Sequence, residues 1–224
     1  MLFDVDGTLV RTGGVGSGVF SAALEAVFGR VPQLQVDMGG KTDPQIVREY
    51  LELMHEDHSH SSTILQQLEK GLAAAADQVV AHGHALPGVP ELLEALHGDE
   101  RFVSTVLTGN IAPNAVVKLA AFGLDRWLNM EVGAYGSDDA DRRALVAIAR
   151  RRVREQLGAD VARDRVWVVG DTPRDLECAQ AAGAHCLLVG TGAYPVAELR
   201  GLDADVVRDD LLPTGDVVEI LLGQ

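Results

Sequence analysis

Apolar positions in this chain follow two rhythms. Short β-branched runs end in glycine and carboxylates, and between them lie stretches whose apolar residues recur three and four apart. The first rhythm predicts buried strands and the second amphipathic helices. Leu2, Phe3 and Val5 open the chain as the end of a strand, and further strands are predicted at 101–107, 130–132, 165–169, 185–189 and 204–207. Helices are predicted at 91–97, 113–122, 141–157, 173–182 and 216–222. Gly123, Gly158 and Gly183 stand where helix-ending glycines are expected. Strands alternating with helices imply an α/β fold, a Rossmann-like parallel sheet with helices on both faces.

Residues 15–85 break that alternation. Helices are predicted at 19–28, 43–53 and 63–76, with no strand among them. Phe20, Ala23, Leu24 and Val27 share one face of the first, while Asp43 as N-cap and Pro44 as first helical residue begin the second. The expected organisation is an α/β core of residues 1–14 and 87–224, interrupted by an all-helical block at 15–86. The block is entered through a glycine-rich run at 13–18 and left through His82-Gly83-His84 and Pro87-Gly88, so both joints can bend.

Length and composition fit this picture. A chain of 224 residues with 47% apolar content supports one large domain or one domain with an insert. The formal charge of −14 argues against nucleic acid or an anionic membrane as partner. It also means that a phosphorylated small molecule needs local positive charge or a metal. No signal-peptide pattern or membrane-spanning apolar run is present. Cys178 and Cys186 lack metal-site spacing and read as core residues of a reducing compartment, so a cytoplasmic location is expected. Oligomeric state is not legible at this level.

The candidate chemistry sits where predicted strands end. Asp4 and Asp6 stand two apart, which puts them on one face of a strand, and Gly7 lets the chain turn so that Asp6 swings over the strand's end. Carboxylates buried together require a cation or strong donors. The pair therefore suggests a divalent metal and a reaction with one nucleophilic and one proton-handling carboxylate. Thr108-Gly109-Asn110 closes another strand. Gly170-Asp171-Thr172-Pro173-Arg174-Asp175 sets two more carboxylates four apart on the first turn of a helix. An N-cap role accounts for one of these two more easily than for both. In parallel sheets, ligands bind at these carboxyl ends.

Together these motifs make the chain resemble the haloacid dehalogenase superfamily of hydrolases over essentially its whole length. Asp4 to Leu9 (Asp-Val-Asp-Gly-Thr-Leu) matches the family's first motif, Thr108-Gly109-Asn110 the second, and Gly170 to Asp175 the fourth. The helical block at 15–86 is similar to the family's cap. For the third motif, a basic residue that holds phosphoryl oxygens, Arg142 is the preferred candidate. Arg143 is the second choice and Lys118, in mid-helix, the third. Arginine departs from the family's commoner lysine. Only Met1 to Phe3 precede Asp4, so either the first strand is short or the chain start is trimmed.

The resemblance implies a phosphatase of small phosphorylated metabolites, similar to phosphoglycolate phosphatases. Asp4 would be the nucleophile and Asp6 the acid and base. Thr108, Gly109 and Asn110 would contact the phosphoryl group. Mg²⁺ would be held by Asp4, the Asp6 carbonyl and Asp171, with Asp175 in support. A sugar phosphomutase shares these motifs and is the nearest alternative; a catalytically silent regulatory protein on the same fold is another.

Other motifs are weaker. Gly39-Gly40-Lys41-Thr42 resembles a phosphate-binding loop, but Gln35 stands where that pattern needs glycine and no strand precedes it. Lys41 is instead read as a substrate contact reaching from the helical block. Glycines at 14 and 16 are followed by Val19, which breaks the dinucleotide fingerprint. His55-Glu56-Asp57-His58-Ser59-His60 has serine where a zinc-protease motif needs its second histidine, and reads as a solvated loop.

Overall fold

The computed structural model describes residues 1–33 and 35–223. Its strands are β1 (Leu2–Phe3), β2 (Val10–Arg11), β3 (His84–Ala85), β4 (Thr105–Thr108), β5 (Ala134–Tyr135), β6 (Trp167–Gly170), β7 (His185–Val189) and β8 (Val206–Arg208). Its α-helices are α1 (Val15–Phe28), α2 (Asp43–Met54), α3 (Ser61–Ala74), α4 (Ala76–His82), α5 (Val89–His97), α6 (Ala112–Ala120), α7 (Leu145–Leu157), α8 (Pro173–Ala182), α9 (Val196–Leu199) and α10 (Thr214–Leu221). A six-stranded sheet runs β5-β4-β1-β6-β7-β8. Every pairing in it is parallel.

The period-two pattern sorts the strand residues onto two faces. Phe3, Val106, Val169, Leu187 and Val189 pack with Leu92 and Leu96 of α5, Leu119 of α6 and Val217 of α10. Their neighbours Leu2, Leu107, Val168, Cys186 and Leu188 pack on the other face with Leu145 and Ala149 of α7 and Leu176 and Ala179 of α8. β1 lies between β4 and β6, which places Asp4 at the middle of the sheet's carboxyl edge.

Helices α1 to α4 form a third apolar cluster, with Phe20, Leu24, Ile46, Leu51, Leu68 and Leu72 at its centre. Val117, Ala121 and Phe122, at and just beyond the end of α6, pack against it. The chain enters and leaves this insert through β2 and β3, which pair antiparallel, Val10 with Ala85 and Arg11 with His84. A β-carbon on Gly83 would strike the carbonyl of Arg11, so glycine permits this close approach.

Several predicted elements shift. Strand β3 falls where no strand was expected, because two residues are too few to carry an alternation signal. The expected helix at 63–76 is broken at Ala75, whose φ of −97° and ψ of 11° separate α3 from α4. Thr42, not Asp43, caps α2 by accepting from the Gln45 amide at 3.2 Å, and Asp43 is already helical. Residues 130–132 form a 3-10 turn, followed by the sheet residues Ala134–Tyr135. Asp141 caps a 3-10 turn at Arg142–Ala144, so α7 begins only at Leu145. The strand expected at 101–107 is confined to Thr105–Thr108, since Asp99 still turns the chain by accepting from the Arg101 amide. No described helix is long and apolar enough to cross a membrane.

Candidate active site

Three adjacent strand ends converge. Asp4 follows β1, Thr108 ends β4, and Asp171 follows β6. The Asp4 amide donates to the Val169 carbonyl at 2.9 Å, continuing the ladder into the site. The chain then turns at Gly7, whose φ of +85° favours glycine and where a β-carbon would run into the Asp171 carboxylate. Thr191 fixes this turn by donating to the Gly7 carbonyl at 2.6 Å.

Asp4, Asp171 and Asp175 each place a carboxylate oxygen within 4.8 Å of the others, and all three are buried. One guanidinium enters the group. Arg142 Nη2 lies 2.5 Å from Asp175 and 3.1 Å from Asp4. Its Nη1 donates to the Gly40 carbonyl at 3.2 Å, and its Nε is buried without a partner among the described residues. Burial opposes the charge on Arg142, but Asp175 and Asp4 outweigh it and hold the guanidinium protonated. Burial, with Asp175 and Asp6 adding to it, pushes Asp4 up to about 6 against the pull of Arg142. Asp171, buried beside Asp175 and Asp4, is pushed up to about 8.

Asp175 has its oxygens engaged. It accepts from the Thr172 amide at 3.0 Å and hydroxyl at 2.8 Å, closing a capping box on α8, and holds Arg142 with the other oxygen. Its place is behind the site, where it positions Arg142 and the start of α8.

The second pole is Asp6. Lys118 of α6 donates to Asp6 Oδ2 and to Asn110 Oδ1, each at 2.6 Å. Asn110 Nδ2 donates to the same Asp6 oxygen and to Thr108 Oγ1, each at 2.8 Å. The Asp6 carboxylate is thus held by Lys118 and Asn110 and stands outside the three-carboxylate cluster.

A cavity of about 600 Å³ opens over these groups, lined among others by Asp4, Asp6, Gly109, Asn110, Arg142 and Asp171. Residues 39–43 of the insert lie against it. The Asp43 amide donates to the Gly109 carbonyl at 2.7 Å, Thr42 Oγ1 to Ala140 at 2.8 Å, and Arg174 to Gly39 at 2.7 Å. Asp43 Oδ2 accepts from the Ile111 amide at 2.8 Å, and burial raises this carboxyl to about 6.

The donor set fits a hard divalent cation. Three buried carboxylates face one guanidinium, an excess of negative charge that an oxygen-preferring dication would balance. Lys41 lines the cavity, but its ammonium is paired with Glu49 at 2.5 Å. Arg143 points outward and pairs with Asp141. Lys118, ranked third from sequence, has its ammonium at the centre of the Asp6 pole. Lys118 shares the buried side of α6 with Asn114, four residues earlier, but nothing local shows that this side faces Asp6.

The family model described as haloacid dehalogenase-like hydrolase matches residues 1–180. A curated relative, the probable phosphatase IndB of Dickeya dadantii, is 29% identical over 220 residues, covering 93% of this chain and 88% of its own. Among solved structures, a hydrolase from Pseudomonas syringae superposes with a TM-score of 0.72 at 22% identity, covering 98% of this chain and 96% of its own. A predicted phosphoglycolate phosphatase from Haemophilus somnus does so with a TM-score of 0.69 at 20% identity, covering 96% of each.

Proposed function

The chain belongs to the haloacid dehalogenase-like hydrolases, and from that premise we propose that it is a Mg²⁺-dependent phosphatase of small phosphate monoesters, working through an aspartyl-phosphate on Asp4. The observation that carries this reading is the pairing of two differently held carboxylates at one strand end. Asp4 is buried against a guanidinium, and Asp6 stands apart on Lys118 and Asn110. The name of the Dickeya relative supports the same reaction class.

On this reading an Asp4 oxygen attacks phosphorus and the ester bond to the alcohol breaks. Asp6 gives the departing oxygen its proton. Water then attacks the aspartyl-phosphate, passing a proton to Asp6, and inorganic phosphate leaves with Asp4 restored. Arg142, Thr108 and the Gly109 amide counter charge on the phosphoryl oxygens. Lys118 and Asn110 fix the direction in which Asp6 faces the ester. Asp4, Asp171 and the Asp6 carbonyl would hold Mg²⁺, which when bound supplies positive charge against the transferring phosphoryl group. The helical insert at 15–86 serves as a cap that excludes water and admits small substrates. Hydrolysis of p-nitrophenyl phosphate tests the proposal. Turnover should need Mg²⁺, stop in excess chelator and vanish in Asp4→Asn, and full activity in chelator would contradict it.

A further inference from the structure

The cavity over Asp4 is far larger than a phosphoryl group requires, and its walls restrict what else can enter. Beyond the carboxylates the insert presents Val19 and Phe20 from α1, Ile46 from α2, and Leu68 and Leu72 from α3. At about 600 Å³ the space matches pockets that enclose a multi-ring or long-chain ligand. A glycolate-sized leaving group would leave these apolar side chains of the insert uncovered.

The charges restrict it further. Four lysine and arginine side chains line the cavity among the described residues, and each is engaged. Arg142 serves Asp4 and Asp175, Lys118 serves Asp6 and Asn110, and Lys41 is paired with Glu49. Arg11 spends its fork on the carbonyls of Thr191 and Gly192 at 2.5 and 3.0 Å. A second anionic group on a substrate would meet three cations already paired with carboxylates and one, Arg11, held on backbone carbonyls.

Besides Arg142 Nε, one lining side chain has a polar atom left open. Asn114, in the first turn of α6, lines the cavity, is only 5% exposed, and its Oδ1 has no hydrogen-bond partner among the described residues. Buried acceptors are normally satisfied, so this one is suited to a donor carried by a ligand. Resting on the phosphatase reading, we propose that the substrate is the monoester of a neutral, largely apolar alcohol of ring size or larger, bearing one hydrogen-bond donor near the ester that is taken by Asn114.

The test compares primary alkyl phosphates of similar leaving-group chemistry: 2-phenylethyl phosphate, glucose 6-phosphate and phosphoglycolate, with p-nitrophenyl phosphate as reference. The phenylethyl ester should exceed the other two in kcat/KM by about tenfold or more, as differential apolar contact allows. A hydroxyl beside the ester, in 2-hydroxy-2-phenylethyl phosphate, should add a further gain that Asn114→Leu removes. Glu49→Gln, which frees Lys41, should raise the rate on phosphoglycolate relative to 2-phenylethyl phosphate. If glucose 6-phosphate or phosphoglycolate were preferred while p-nitrophenyl phosphate is still hydrolysed, the inference is overturned and the phosphatase reading stands. If none of the esters is hydrolysed with Mg²⁺ present, both fall. Absence of a hydroxyl gain in the wild type overturns the role of Asn114. An unchanged phosphoglycolate ratio in Glu49→Gln overturns the charge argument.

Discussion

Replacing Arg142 by alanine removes the one guanidinium among three buried carboxylates, and two separate losses should follow. The first is in catalysis. A charge-assisted contact to the phosphoryl group in the transition state is worth about 2–4 kcal/mol, or roughly 30- to 800-fold in rate. The second is in stability. Arg142 is 6% exposed and touches Asp175 at 2.5 Å and Asp4 at 3.1 Å, so its removal strands buried charge. Truncating one partner of such a pair costs about 3–5 kcal/mol. Arg143, one residue on, has a side chain 64% exposed and pairs with its own capping residue Asp141. Arg143→Ala should therefore leave both close to wild type. The assay is kcat/KM for p-nitrophenyl phosphate beside denaturant unfolding, on both variants and on Arg142→Lys, which keeps the charge and should fall between. A larger loss for Arg143→Ala, or an Arg142→Ala enzyme within about twofold of wild type, would refute the reasoning.

Asp6→Asn should slow hydrolysis of alkyl phosphates far more than that of p-nitrophenyl phosphate, because a good leaving group needs little protonation; equal losses would count against the acid role. Lys118→Met should lower kcat on alkyl esters by about tenfold or more by releasing Asp6, whereas a purely structural lysine would lower the unfolding midpoint and leave kcat alone. pH should matter in the absence of added metal. Asp4 and Asp171 are raised to about 6 and about 8, above their ordinary carboxyl values, so the folded state holds protons that the unfolded state has lost. Stability should accordingly fall as pH rises from about 4 through 8 and then level off. Added Mg²⁺ should raise the melting temperature more at about pH 8.5 than at about pH 6, because at the lower pH the ion must displace those protons. Asp171→Asn should flatten the metal-free slope, and an unchanged slope would contradict the assignment.

The α/β core was legible because its strands end in conspicuous punctuation. Asp4-Val5-Asp6-Gly7 and Gly170 to Asp175 mark two carboxyl ends, and the helices between announce themselves by period and closing glycines. The structure brings Asp4, Asp171 and Asp175 together because β1 and β6 pair directly, Phe3 beside Val169. The choice between Arg142 and Arg143 turns on a single 3-10 turn. Asp141 caps it and captures Arg143, which leaves Arg142 facing inward. The position of Lys118 was hidden for a different reason. Its partner Asp6 is 112 residues away, so their contact depends on the phase of α6 against the sheet, which no local pattern encodes. The engagement of Lys41 by Glu49, eight residues along, likewise depends on how the loop before α2 folds back on that helix.

The most direct test of the central claim is to look for the covalent intermediate. Asp6→Asn should retain attack by Asp4 while slowing the water step, so a phosphoenzyme should accumulate when an activated ester such as p-nitrophenyl phosphate is supplied with Mg²⁺. Rapid acid quench, protease digestion and mass spectrometry would locate it. The account predicts one added phosphoryl group on the peptide Met1 to Arg11, at Asp4, absent from the Asp4→Asn, Asp6→Asn double variant. Turnover with no phosphorylated peptide under single-turnover conditions, or a phosphoryl group on another residue, would contradict it.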